Sequence, residues 1–407
     1  MEKRVTKEEQ FEIIKRGVEE MIPEEEMLGK LAKAEKTGKP LRVKYGIDPT
    51  GSDVHIGHLV PIRKMREMQD LGHIGVIIIG DFTAQIGDPT GRDTSRPPLT
   101  GEQVKKNAER YMEQLYTVLD KERTEVRWQS EWFSGMNLID VIKVLSKFTL
   151  AQFMAHETFR TRYEKGLPLA MHEIMYSVLQ AYDSVAIQAD IELGATEQKF
   201  NILCGRDMQR YFEMEQQIAL LFPILTGTDG VNKMSKSLNN YVAVLDPPND
   251  KYGKIMSIPD SLILQYYQLA IASTDAELEE VKKELVAGKN PKYIKQTLAR
   301  KIVSFFHGEE AARQAEEEFE RVFSQRDVPQ DIPEYQCDSY PVWIVKLLTD
   351  SGLCQSSGEA RRMIKQKAVT INNRKVEDEN ETLESNDELL IKVGKRRFLK
   401  VVKSKND

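Results

Sequence analysis

The first 40 positions mix apolar and polar residues at helical spacing, as in EEQFEIIKRGVEEMI, and Gly38-Lys39-Pro40 closes the stretch, so it reads as helix. LRVKYGID (41–48) reads as a buried strand, followed by a turn rich in Pro, Thr, Gly and Asp. A helix is predicted over about 54–71, ended by Gly72. HIGVIIIGDF (73–82) is a nearly unbroken branched apolar run, the pattern of a strand buried on both faces, and the loop TAQIGDPTGRDTSRPPLTG follows it. Further on come a helix over 102–120, a strand at TEVRWQS, helices through 137–163, a helix over 172–188, and strands near 189–194 and 220–226. This alternation predicts an α/β fold with a Rossmann-like, doubly wound parallel sheet. Ligands on such sheets bind outside the carboxyl ends of the strands. The loops 49–58 and 83–98 directly follow predicted strands.

Beyond position 259 the pattern changes. Residues 259–326 are helical and charged, SQRDVPQDIPEYQCDSYP reads as a linker, and the tail combines two short helices (VWIVKLLTDSG, SSGEARRMIKQK) with short strands (AVTINN, ELLIKVGKRRFLKVV). The expected organisation is a sheet domain over 1–228 with a helical insertion at about 120–175, a loop and helical domain over 229–326, a linker over 327–341, and a small α+β domain over 342–407. A length of 407 residues suits two or three domains, and 40% hydrophobic with 30% charged residues is a globular balance. The longest clean apolar stretch, 218–225, contains Pro223 and is far shorter than the roughly 20 residues a membrane helix needs. The N-terminal residues lack the apolar run of a secretory signal. Cys204, Cys337 and Cys354 are too scattered for a disulfide framework or a local zinc site, so a reducing cytoplasm is expected. The net charge is −6, yet residues 338–407 hold 14 Lys/Arg against 11 Asp/Glu. A basic module on an acidic body points to polyanion contact through the tail.

Four groups of residues carry candidate chemistry. Asp53-Val-His55-Ile-Gly57-His58 lies at a strand-to-helix junction, where free N–H groups attract phosphate. His55 and His58, three apart, would share a helix face, and Gly57 lets a flat group approach the backbone. Lys233-Met234-Ser235-Lys236-Ser237 offers two lysines on a short loop that can wrap a polyphosphate and stabilise a leaving pyrophosphate. In the loop after the second strand, Asp88 can bind an ammonium group, while Arg92 and Arg96 can close over phosphates. On the helix 172–188, Tyr176, Gln180 and Asp183 form one stripe, and Asp183 is the only charged residue between Glu173 and Asp190. If buried, that carboxylate needs a partner such as a phenolic hydroxyl.

The HIGH string followed by KMSKS on an α/β pattern resembles the class I aminoacyl-tRNA synthetases, and over nearly the whole chain the resemblance narrows to the bacterial tyrosyl-tRNA synthetases. It implies attack of an amino-acid carboxylate on the α-phosphate of ATP, then transfer of the acyl group to tRNA(Tyr). His55, His58, Lys233 and Lys236 match phosphate-stabilising positions, and Asp48, Thr50, Gly57, Met234 and Ser235 fall among the nucleotide-binding positions. Arg92 and Arg96 match positions that hold pyrophosphate; Asp88, Tyr176, Gln180, Asp183 and Gln198 match the tyrosine site. ATP would bring Mg²⁺ as part of the co-substrate, with no protein metal cage and no tightly bound cofactor expected. The tail resembles a small RNA-binding fold shared with a ribosomal protein, with Arg361, Arg362, Lys365, Lys367, Lys395, Arg396 and Arg397 as the phosphate-binding face.

The family also implies a homodimer. The amphipathic stretch 145–154 fits either a subunit interface or an internal helix contact. Two departures stand out. Glu197 replaces the more usual Asp, and Lys44 occupies the strand position where many members have a tyrosine that contacts the substrate hydroxyl. Lys44 is either a solvated strand residue or directed to the ATP side, with Tyr45 on the opposite strand face. Hydroxyl recognition then leans on Asp183. The rival readings are a tryptophanyl enzyme and an RNA-binding protein that keeps the fold without catalysis.

Overall fold

A computed structural model describes residues 5–51, 53–86, 100–324, 332–337, 340–372, 374–384, 389–394 and 397–403. The chain divides into two compact units, Met1–Arg313 and Gln314–Asp407. In the first, strands β1 (Glu20–Ile22), β2 (Arg42–Ile47), β3 (Ile74–Ile79), β4 (Thr124–Trp128), β5 (Ile191–Ala195) and β6 (Ile218–Phe222) form one sheet in the order β1-β6-β5-β2-β3-β4. All pairings from β6 to β4 are parallel. β3 is buried at every position after its first, as its branched run requires of an inner parallel strand.

β1 corrects the all-helical reading of the first 40 residues. Helices Lys7–Lys15 and Met27–Thr37 flank it, and Glu20, Met21 and Ile22 pair antiparallel with Leu221, Leu220 and Ala219. Three residues gain strand structure only from that distant edge, so no local pattern marks them.

The chain builds β2, β3 and β4 outward, then returns to the other side of β2 with β5 and β6. The order reverses between β2 and β5, the place where a doubly wound sheet opens a ligand crevice. Lys44 and Glu192 are register partners across this junction.

Between β4 and β5 the insertion runs through helices Leu138–Leu145, Leu150–Met154 and Glu157–Glu164. Their separate starts follow from caps: Asn137 accepts from the N–H groups of Ile139 and Asp140, and Thr149 from that of Gln152. Phe153 and Phe159 pack with Val178, Ala181, Cys204 and Met208, joining the insertion to helices Met171–Ala186 and Lys199–Tyr211. The buried Arg162–Glu173 pair, at 2.5 Å, fixes the entry to Met171–Ala186, and Glu173 also accepts the Ala170 N–H.

After β6 come helices Pro248–Met256, Ile263–Leu269, Asp275–Val286, Pro291–His307 and Glu309–Ser324. Tyr252, Tyr266, Leu298 and Ile302 are fully buried among them.

The second unit contains strands β7 (Glu334–Cys337), β8 (Val342–Trp343), β9 (Val369–Ile371), β10 (Arg374–Lys375), β11 (Thr382–Leu383), β12 (Leu389–Val393) and β13 (Arg397–Lys403). Five make a sheet in the order β10-β9-β12-β13-β7, and β11 pairs with β8. Helices Ile344–Asp350 and Ser357–Lys365 share with the strands a core of Ile344, Leu348, Ala360, Ile364, Val369, Ile391 and Val401. β7 falls inside the expected linker 327–341: it pairs in parallel with β13, Glu334 opposite Lys400.

Candidate active site

The predicted helix over 54–71 begins later, at Leu59. Residues 54–56 are drawn out instead by distant backbone. The Ile56 N–H donates to the Val242 carbonyl (3.0 Å), the Val244 N–H donates to that of Val54 (2.9 Å), and His55 bridges to Ala243. His55 therefore precedes the helix and His58 sits at its N-cap position. The two rings still meet, stacked with centroids 3.5 Å apart and planes 18° apart. Gly57 leaves room between them, since a Cβ there would crowd Nδ1 of His55 at 3.1 Å.

Burial, then the Lys236 charge, lowers the His55 pKa to about 4. Burial likewise holds His58 well below the ordinary imidazole range, reinforced by His55 and Lys236. Both rings are neutral at pH 7 and act as hydrogen-bonding groups, not as cations. Nδ1 of His55 is buried without a hydrogen-bond partner. Nδ1 of His58 faces the His55 N–H at 3.3 Å, which assigns the His58 proton to Nε2.

The lysine loop is anchored at both ends. The Met234 N–H donates to the Leu225 carbonyl just past β6 (2.9 Å), and Met234 is buried. Asn240, also buried, accepts the Ser235 N–H (2.8 Å) and donates to the Lys233 carbonyl (3.1 Å) and to Asp229 (3.0 Å). The Asn232 side-chain amide (3.0 Å), then the Val231 N–H, with Asn240 and the Asn232 N–H adding less, lower the Asp229 pKa to about 2. Lys233 forms an exposed ion pair with Glu197 at 3.0 Å. Lys236 approaches the first loop: a Cβ on Gly51 would lie 3.2 Å from its Nζ.

One cleft of about 880 Å³ is lined by Asp48, Thr50, His55, Gly57, His58, Met234, Ser235 and both lysines, with Tyr45 and Glu197. Every nucleotide-site residue read from the sequence within the described residues thus meets in one place. Asp88, Arg92 and Arg96 lie outside the described residues, as do Lys395 and Arg396.

The stripe on Met171–Ala186 has partners that the sequence did not supply. The Tyr176 hydroxyl donates to Asp48 (2.9 Å), and the Gln180 amide reaches Glu192 at 3.3 Å. Asp183 is buried and accepts from the Gln129 amide (2.9 Å) and the Trp132 indole (3.2 Å). Burial raises its pKa to about 7, against the opposing influence of Lys44 and these two donors. Thr83 links the two halves of the site. Its hydroxyl donates to Asp48 (2.6 Å) and its N–H to Gln129 (3.0 Å). Gln198 accepts from Asn201 (2.9 Å), which accepts from Ser177 beside Tyr176 (2.7 Å).

Sequence reading missed Thr83, Gln129, Trp132 and Asn240. Gln129 and Trp132 carried one usable signal, their place just after a strand on a sheet of this type. Lys44 is corrected. It is neither solvated nor on the ATP side but fully buried, its ammonium 2.9 Å from Glu192. Tyr45, on the opposite face, does line the cleft.

In the second unit, Arg361 and Arg362 are exposed on helix Ser357–Lys365, with Arg361 over the Trp343 ring at 5.5 Å. Lys365 and Lys367 are exposed beside Glu379 and Glu377, at 3.5 and 2.9 Å. Arg397 differs from them: its guanidinium donates to the Leu353 carbonyl (2.5 Å) and to Glu359 (2.8 Å), pinning helix to sheet.

The family model for class I tRNA synthetases (W and Y) matches residues 35–324, and that for the tyrosine–tRNA ligase SYY-like C-terminal domain matches 324–401. The chain belongs to the class I tRNA synthetases of the tryptophan and tyrosine branch. Within that branch it falls in the tyrosine–tRNA ligase family. The tyrosine–tRNA ligase of Desulfotalea psychrophila is 46% identical over 397 residues, 97% of this chain and 98% of the relative. That of Carboxydothermus hydrogenoformans is 47% identical over 400 residues, 97% of each. A tyrosyl-tRNA synthetase from Archaeoglobus fulgidus, solved with L-tyrosine, shares the fold at 23% identity and a TM-score of 0.61, covering 76% of this chain and 100% of that one.

The histidine geometry has a pH signature. The folded pKa of His55 lies below its unfolded value, so the unfolded chain binds more protons between about pH 4 and 6.5. The pair's contribution to stability is intact above about pH 6.5 and declines as the pH falls toward 4. In an NMR titration of the ligand-free protein, the His55 and His58 ring signals should stay at their neutral positions down to about pH 5. Titration of either near the ordinary imidazole value would contradict the buried, stacked arrangement.

Proposed function

We infer that the chain is a tyrosine–tRNA ligase whose cleft activates tyrosine with ATP and whose second unit helps to hold tRNA(Tyr). The observation that carries the chemical reading is the meeting of His55, His58, Lys233 and Lys236 around one cleft. The tyrosine carboxylate attacks the α-phosphate, the bond from that phosphorus to the bridging oxygen breaks, and pyrophosphate leaves. A terminal ribose hydroxyl of tRNA then attacks the tyrosyl carbonyl and releases AMP. The neutral imidazoles donate hydrogen bonds to phosphate oxygens, and the two ammonium groups balance the negative charge that grows on the leaving group. Catalysis then rests on positioning and electrostatics, with no covalent enzyme intermediate.

Asp183 accepts the phenolic hydroxyl, with Tyr176, Gln180 and Gln198 toward the amino-acid end. Asp88 completes the ammonium site, and Arg92 and Arg96 close over the pyrophosphate. Mg²⁺ arrives with ATP as part of the substrate. Among the described residues no cluster of three or more His, Cys, Asp or Glu gathers as a metal site, and no helix is long and apolar enough to cross a membrane. A cytoplasmic setting accords with three buried cysteines, none of them in a disulfide. Arg361, Arg362, Lys365 and Lys367, with Lys395, Arg396 and Arg397, supply the charge for RNA. A homodimer accounts for Leu138, Ile139, Ile142 and Leu150, which are large, apolar and more than half exposed on neighbouring helices of the insertion.

Tyrosine-dependent exchange of pyrophosphate into ATP tests the activity across a panel of amino acids. Exchange with tryptophan and none with tyrosine would end this reading. In the same assay Lys233→Ala should slow activation by about 10²-fold or more with little change in tyrosine affinity, since its charge acts on the transition state. An equal loss of affinity and rate would remove it from that role. Arg361→Glu with Arg362→Glu should cut tRNA charging at least about tenfold and spare exchange, because phosphate contacts are electrostatic. Equal loss in both assays would contradict the division of labour. Sedimentation should give about twice the chain mass, and Ile139→Glu with Ile142→Glu should shift the protein toward monomer. A wild-type monomer at micromolar concentration would exclude the interface.

A further inference from the structure

Lys44 and Glu192 form an ion pair where the strand order reverses, with side chains 0% and 2% exposed. Buried ion pairs of this kind are poor stabilisers, because desolvation offsets their attraction and apolar replacements are often as stable. The partners of this pair are specific. The Lys44 ammonium donates to the Gln180 carbonyl (2.9 Å) and to the Ser184 hydroxyl (2.8 Å), residues that flank Asp183 on helix Met171–Ala186. Glu192 shares two of these residues and adds a third. The Gln217 amide donates to it at 2.5 Å, the Ser184 hydroxyl lies 3.2 Å away and the Gln180 amide 3.3 Å. Gly205 lets helix Lys199–Tyr211 close over this cluster, since a Cβ there would lie 2.6 Å from the Gln217 amide nitrogen and 2.9 Å from the Ser184 hydroxyl.

We propose that Lys44 is a positioning residue for substrate selection, supplying from β2 the counter-charge for the Asp183 carboxylate that receives the tyrosine hydroxyl. The proposal rests on the reading of Asp183 as the phenol acceptor and adds the group that keeps it an acceptor. The charged groups acting on Asp183 are Lys44 from β2 and Glu192 from β5, and Lys44 acts the more strongly. The turn after β4 contributes neutral donors, Gln129 and Trp132. Burial alone drives Asp183 toward its protonated form, in which one oxygen becomes a donor and loses its preference for a phenolic O–H. An ammonium anchored on Gln180 and Ser184, either side of Asp183 on the same helix, opposes that drift.

The test is the pH profile of tyrosine KM in pyrophosphate exchange, from about pH 6 to 9, for wild type, Lys44→Met, Lys44→Arg and Asp183→Asn. In wild type KM should fall as the pH rises through the Asp183 titration. Lys44→Met should move that midpoint up by about one pH unit, raising KM about tenfold below it while kcat changes little. Lys44→Arg should keep the wild-type midpoint. A Lys44→Met profile with an unmoved midpoint and KM raised equally at every pH would overturn the proposal, because a purely structural role predicts that result. If Lys44→Met does not fold, Lys44→Met with Glu192→Gln removes the stranded carboxylate and decides the question. The midpoint should still move up, by less, and an unmoved midpoint there would overturn the proposal. The underlying reading fails separately: Asp183→Asn that keeps the preference for tyrosine over phenylalanine would remove Asp183 from hydroxyl recognition, whatever Lys44 does.

Discussion

A short backbone pairing between 54–56 and 242–244 governs the relation of the two signature loops. It joins residues nearly 190 positions apart through hydrogen bonds of 2.9 and 3.0 Å. The 242–244 side is then held from behind. The buried Lys251 donates to the Val244 carbonyl (2.8 Å) and lies over the Phe306 ring, while Asp246 accepts the Ala243 N–H (2.7 Å) and pairs with Lys254. The start of the lysine loop is tied to the end of β6 through Met234 and Leu225. The distance between imidazoles and ammonium groups is thus set by backbone, where an error of an ångström would degrade stabilisation of a reacting phosphate. Two clusters that are each weak as sequence signals become one site because this pairing closes.

A second set of contacts couples the nucleotide cleft to the carboxylate on Met171–Ala186. From Tyr176 through Asp48, Thr83 and Gln129 to Asp183, consecutive polar groups lie 2.6–3.0 Å apart. Gly80 leaves room for it, since a Cβ there would collide with both Asp48 and Thr83. Interior polar groups are costly unless satisfied, and a satisfied chain is rigid. Such a chain can hold the two substrates in register before either binds, so that little ordering remains for the reacting state.

How legible each part was follows from the range of the forces that form it. β3 was readable because six branched or small residues in a row leave few alternatives to a buried strand. The Tyr176, Gln180 and Asp183 stripe was readable because helical spacing is local. What failed was non-local. The pattern of 54–58 is helical, and pairing with 242–244 overrides it. β1 and β7 exist only through partners at 219–221 and 400–403. Strand alternation placed Lys44 and Tyr45 on opposite faces correctly, but the partner of Lys44 lies on β5, so its burial was invisible from its neighbours. The pairing of Arg397 with Glu359, 38 positions away, was equally invisible from its neighbours.

The cleft uses two kinds of phosphate-binding group, and their surroundings explain the division. Two imidazolium rings stacked at 3.5 Å in a buried site would repel each other and pay for desolvation, so the rings stay neutral and contribute short-range hydrogen bonds. Lys233 of the lysine loop is exposed, and there a charge is tolerated and attracts a polyanion from a distance. The Lys233–Glu197 pair is half-exposed and worth no more than about 1 kcal/mol, so a triphosphate with several charges can take Lys233 from Glu197 at small cost. Glu197 then keeps the ammonium close to where it is needed without holding it against a stronger ligand. The longer reach of Glu over Asp at this position suits a carboxylate that must meet a lysine on a separate loop, which gives a physical reason for that departure from the family pattern.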